Sequence, residues 1–82
     1  MTTTILDLTG LKCPLPALLA RKALAKLAPG EWLEVHCTDP MAVIDIPAMV
    51  QQAGDRLDSA TRQGDAIVFM IAKSNRTIAD RN

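Results

Sequence analysis

Aromatic residues are nearly missing from this chain: it has one Trp, one Phe and no Tyr. Proteins that bind single-stranded nucleic acid stack bases on aromatic platforms and draw affinity from clustered Lys and Arg. Neither feature is present, because nine basic and nine acidic residues are mixed along the chain and the formal net charge is zero. Direct nucleic-acid binding is therefore not expected, and an RNA-binding module suggested by fold analogy alone is disfavoured. Long apolar runs are missing too. The longest, Ala66 to Ala72, has seven residues, far short of the about 20 that cross a bilayer as a helix, so no membrane association is expected. The opening Met1-Thr2-Thr3-Thr4-Ile5-Leu6-Asp7 has neither a basic start nor an apolar stretch. It reads as no secretion signal and predicts a cytoplasmic protein. Cysteine is scarce, with two residues in all. In a reducing compartment these point to reactive or buried thiols rather than to a structural disulfide. Cys13, Cys37 and the single His36 do not make a zinc ligand set at zinc spacing, and no metal or resident cofactor is expected.

The chain has 82 residues and is 49% hydrophobic, enough for one domain over 1–82, with a core at about 4–73 and a frayed tail at 74–82. A domain this small buries only about 60–65% of the surface its unfolded chain exposes. A deep pocket is not expected, and any chemistry belongs on the surface, shared with a partner.

Hydrophobic periodicity predicts β-α-β-α-β-β. Thr4 to Leu8 alternates as a strand and Gly10 breaks it. Pro14 to Ala28 is helical, with Ala20, Ala23, Leu24 and Leu27 on one face and Arg21, Lys22 and Lys26 opposite. Pro29-Gly30 stops that helix. Trp32 to Cys37 alternates again, with Leu33, Val35 and Cys37 on the core side. Asp39-Pro40 opens the next helical region, with Asp39 a candidate N-cap. Its main body is expected to start at Pro47, since proline suits a first turn and not an interior, and to end at Gly54. Leu57 to Gln63 is polar and reads as an edge strand. Ala66 to Lys73 is apolar on both faces, which fits a central strand. The expected fold class is α+β: a two-layer α/β sandwich with a four-stranded mixed sheet and two helices on one face.

The informative stretch is Gly10-Leu11-Lys12-Cys13-Pro14-Leu15-Pro16. It puts Cys13 at or beside the N-cap of the first helix, where amides and dipole favour a thiolate. Lys12 adds positive charge in the same direction. Pro14 and Pro16 pre-set φ for a first turn and fix the loop. Cys13 is thus the catalytic candidate, with Lys12, Pro14 and Pro16 in support. Arg21, Lys22 and Lys26 are docking candidates, because they lie on the helix that begins at Cys13. Cys37 reads as a buried small hydrophobe. The competing function is a thiol redox switch joining Cys13 to Cys37, which needs both thiols exposed and their Cα atoms within about 7 Å. The outward face with Trp32, His36 and Met70 is a further candidate partner or dimer surface.

Nearly the whole chain resembles the TusA/SirA-like family of sulfur carriers. The signature Cys-Pro-x-Pro is Cys13-Pro14-Leu15-Pro16, preceded by Leu6-Asp7 and Gly10-Leu11-Lys12. Arg21-Lys22, Pro29-Gly30-Glu31, Asp39-Pro40 and Asp45-Ile46-Pro47 follow in register. The resemblance implies a sandwich like the C-terminal domain of translation initiation factor three. It also implies that Cys13 accepts sulfane sulfur from a cysteine desulfurase or rhodanese as a transient persulfide. An acceptor protein then takes it, in routes such as tRNA 2-thiouridine formation, molybdenum-cofactor maturation or sulfur metabolism. Two positions depart from well-known members: Leu15 stands where some carry Glu, and Met49-Val50 where some carry a second cysteine.

Overall fold

The structure, a computed structural model, describes residues 3–74. Its elements are β1 (Thr3–Leu8), α1 (Leu15–Ala25), β2 (Trp32–Cys37), α2 (Ala42–Ala53), β3 (Arg56–Gln63) and β4 (Ala66–Ala72). The strands form one sheet in the order β1-β2-β4-β3. β1 and β2 are parallel, and β4 runs antiparallel to both of its neighbours. This is the expected mixed sheet with both helices on one face. The expectation for the tail beyond Ser74 lies outside the described residues. No helix among the described residues is long and apolar enough to cross a membrane.

Strand alternation decides what each face carries. Leu33, Val35 and Cys37 of β2 are buried under the helices, while Trp32, Glu34 and His36 point to the uncovered face and stay half-buried. β4 buries Ile67, Phe69 and Ile71 toward the helices and Val68 on the other side, and pairs with β2 and β3 along its two edges. β3 is an edge, polar and exposed along most of its length, with a bulge between Leu57 and Ser59. Charged edges interrupted by bulges resist pairing with further chains.

α1 buries Pro16, Ala20 and Leu24, spaced by four, with Ala17, Ala23 and Leu27 packed beside them. Regular helix ends three residues before Ala28. Lys26 and Leu27 donate instead to the carbonyls of Ala23 and Leu24 at 3.1 Å, the tighter i→i−3 turn common at helix ends.

α2 corrects the expected helix start. It begins at Ala42, and Pro47 lies inside it. Ala42, Ile46, Met49 and Val50 form a buried stripe at i, i+4, i+7 and i+8, and packing that stripe outweighs the single hydrogen bond proline removes. The bond lost would have gone to the carbonyl of Val43, an exposed residue on the outer side of the helix. At the other end Gly54 takes a left-handed φ of 80°. Asp55 N–H donates to the Val50 carbonyl at 3.1 Å, a Schellman-type closure that needs glycine at the turn.

Candidate functional site

Because β1 and β2 are parallel, their carboxyl ends lie side by side, with Leu8 opposite Cys37. The loops that follow them are therefore neighbours. Asp7 Oδ1 accepts from Thr9 N–H at 3.1 Å and from its hydroxyl at 2.7 Å, turning the chain out of β1. Gly10 completes the turn at φ 85°, a conformation disfavoured for other residues. Two bonds then cross to the second loop. Gly10 N–H donates to Thr38 Oγ1 at 2.8 Å, and Cys13 N–H donates to Asp39 Oδ2 at 2.6 Å. Leu15 N–H donates to the Lys12 carbonyl at 2.9 Å, across a cis Cys13–Pro14 peptide. The backbone of Cys13 is held on both sides while its side chain stays exposed.

The thiol points at an acid. Cys13 Sγ donates to Asp45 Oδ2 at 3.0 Å, from α1's approach loop to the first turn of α2. That hydrogen bond raises the Cys13 pKa above its ordinary value, with partial desolvation and the charges of Asp45 and Asp39 adding in the same direction. The sequence predicted the reverse, a thiolate favoured by the helix start and by Lys12. The prolines explain the difference. A helix start stabilises an anion through free N–H groups. Here Pro14 and Pro16 have none, Leu15 N–H serves the Lys12 carbonyl, and Cys13 N–H serves Asp39. Pro14 is the N-cap residue and makes no side-chain cap. Pro14 and Pro16 offer the sulfur no N–H, and the charges that shift its pKa are those of Asp45 and Asp39 rather than Lys12.

Cys13, Pro14, Ala17, Leu18, Arg21, Asp45, Ala48, Met49 and Gln52 line an open groove of about 350 Å³ between α1 and α2. Arg21 is its one cation. Lys22 and Lys26 face another way, lining a cleft with Thr4, Leu6 and Leu19 beside β1. The three basic residues expected to make one docking face are thus divided between two. A larger cavity of about 400 Å³, lined by Trp32, Asp55, Arg56 and Lys73 among others, lies at the opposite end of β2 and is lined by no cysteine.

Cys37 is fully buried, as strand alternation predicted. Burial, and secondarily the charge of Asp39, pushes its pKa up to about 11. Both thiols are free, and one of them lies in the core, which counts against a switch needing two accessible thiols. His36 shares a 2.6 Å contact with Glu34 on the uncovered face. Arg56 lies 6.0 Å from the ring centre of Trp32 on that face, at the outer range for a cation–π contact. Among the described residues no group of three His, Cys, Asp or Glu is placed to hold a metal ion.

The sequence reading missed the part Asp39 and Asp45 play. Asp39 was expected to cap the second helix, and Asp45 was noted within the family-like Asp45-Ile46-Pro47 segment. Asp39 does reach Met41 N–H at 3.4 Å, but the N-cap itself is Met41, without a side-chain bond. Its shorter contact is with Cys13. A usable signal existed: residues just after β2 must lie beside residues just after β1 once the two strands are parallel.

The family described as Sulfurtransferase TusA matches residues 4–73. The sulfur carrier protein TusA of Allochromatium vinosum is 42% identical over 69 residues, covering 84% of this chain and 91% of that protein. YrkI of Bacillus subtilis is 41% identical over 69 residues, covering 84% of this chain and 92% of its own. Among solved structures, a SirA-like protein from Desulfitobacterium hafniense superposes with a TM-score of 0.76 at 25% identity, covering 92% of this chain and 100% of that one.

Proposed function

The chain belongs to the TusA sulfurtransferase family, and on that premise we propose that it carries sulfane sulfur as a persulfide on Cys13. The general role, carrying sulfur, is that of its relatives. In the specific reading, a cysteine desulfurase or rhodanese loads Cys13 and an acceptor protein empties it, serving tRNA thiolation, molybdenum-cofactor maturation or another branch of sulfur metabolism.

The observation that carries this reading is the presentation of Cys13. It is an exposed thiol whose backbone is pinned by Asp39 and by the Lys12–Leu15 turn. A side chain held this way can enter a larger partner's active site without the carrier needing a pocket of its own. Leu15 and Leu18 of α1 and Met41 and Ile44 at the start of α2 are large and exposed, and exposed apolar groups of this kind suit protein contact. Arg21 in the groove is the best placed of the three basic docking candidates. Lys22 and Lys26 would meet a partner only if it reached round to β1. The raised thiol pKa also suits a carrier, since a protonated cysteine is a poor nucleophile toward stray electrophiles.

The test is loading by a donor. The reduced protein is incubated with a cysteine desulfurase and sulfur-labelled L-cysteine, then separated without reductant. Label is expected on the wild type and on Cys37→Ala, released by dithiothreitol and absent from Cys13→Ser. Label that persists in Cys13→Ser contradicts the assignment.

A further inference from the structure

We propose that Asp45 is the proton acceptor and donor for Cys13 during sulfur transfer, a role that rests on the persulfide reading above. Its carboxylate touches the reacting atom, with Oδ2 3.0 Å from Sγ. The contact is built in. Asp39 fixes the Cys13 backbone from the loop before α2, and Asp45 extends from the first turn of that same helix. The charged groups around the thiol are Asp45, Asp39, Arg21 across the groove and the exposed neighbour Lys12. None of the amides of the helix start from Cys13 to Pro16 is available to a thiolate, for the reasons given above.

Such a site holds a thiol, and a thiol must lose its proton to attack. As Cys13 Sγ bonds to the terminal sulfur of the donor's persulfide, its own proton becomes acidic and passes to Asp45 Oδ2. The bond between that terminal sulfur and the donor cysteine breaks, and its electron pair leaves with the donor sulfur. The donor thiolate then takes the proton from Asp45. One thiol and one persulfide enter and one of each leaves, with no net oxidation. On delivery the roles reverse: an acceptor nucleophile, written as a thiol, gives its proton to Asp45 as it attacks the outer sulfur, and the departing Cys13 sulfur takes that proton back. A positioned carboxylate acting this way contributes about 10²-fold or more.

A base predicts effects of opposite sign in two assays. Asp45→Asn removes both the acceptor and the negative charge. Alkylation of Cys13 by iodoacetamide at pH 7 should then rise several-fold, because more thiolate is present. Single-turnover loading at saturating desulfurase should fall by about 10²-fold and recover as pH rises and thiolate forms without help. Asp45→Glu should restore part of the loading rate. Loading that rises in step with alkylation in Asp45→Asn overturns the proposal and makes Asp45 a group that only suppresses reactivity. A defect that disappears at saturating donor also overturns it and makes Asp45 a docking residue. Either result leaves the persulfide reading standing. A wild type that takes no sulfur from the donor overturns both.

Discussion

Replacing Cys37 separates its structural place from any chemical one. Its side chain is 0% exposed, in the core and between its strand partners Leu8 and Ile67. Cys37→Ala removes a sulfur atom about as large as a methylene and leaves a small void. Transfer and cavity terms together put the loss at roughly 1–2 kcal/mol. Cys37→Ser fills the space but buries a hydroxyl, at a cost of roughly 2–3 kcal/mol. In a domain of this size each kcal/mol lowers Tm by about 4–8 °C, so the order of midpoints should be wild type, then Cys37→Ala, then Cys37→Ser. Thermal unfolding followed by circular dichroism reads this directly. Below the melting range both variants should load sulfur on Cys13 at the wild-type rate. In the native wild type one thiol should react with Ellman's reagent at pH 8, and both in denaturant. A stable Cys37→Ala variant that cannot be loaded, or two equally reactive thiols in the native protein, refutes the argument that Cys37 is only a core residue.

Alkylation of Cys13 against pH should show a midpoint above the ordinary cysteine value, since Asp45, desolvation and Asp39 all favour the protonated thiol; a midpoint below it contradicts the arrangement seen here. Cys37 gives a stability signature in alkali. Its pKa is raised from 9.0 to about 11 in the fold, so its contribution is complete below pH 9 and is lost as pH rises through 11, which urea midpoints across that range should follow. Asp55 ties the end of α2 to the end of β4: its side chain is 4% exposed, accepts from Ser74 N–H at 2.8 Å and lies 4.0 Å from Lys73 Nζ. Asp55→Ala should cost roughly 2–3 kcal/mol in urea unfolding and leave loading of the folded protein unchanged.

The strands were legible because their alternation is carried by the residues themselves. Leu33, Val35 and Cys37 could only face one way, and the apolar residues on both faces of β4 suit a strand inside the sheet better than one at its edge. The first helix was legible from its stripe and its Pro-Gly stop. The second was misplaced because one strong local rule, no proline in a helix interior, was set against a stripe from Ala42 to Val50 that tertiary packing favours. The site was legible as far as Cys13 and no further. Asp39 and Asp45 reach it across 26 and 32 residues of sequence, so their role depends on strand pairing rather than on any local pattern. The prolines were read for the φ they impose. That they also remove two N–H groups from the start of the helix, while those of Cys13 and Leu15 are already bonded, becomes visible only from the hydrogen bonds of the folded loop.

The most direct test of the central claim is a mass measurement on the Cys13 peptide. The protein is loaded by a cysteine desulfurase and L-cysteine, its remaining thiols are blocked, and it is digested without reductant. The account predicts that the Cys13 peptide gains the mass of one sulfur atom, that the Cys37 peptide gains nothing, and that the gain disappears on reduction. Added sulfur on the Cys37 peptide, or an unmodified Cys13 in a sample that has demonstrably taken up sulfur, would contradict it.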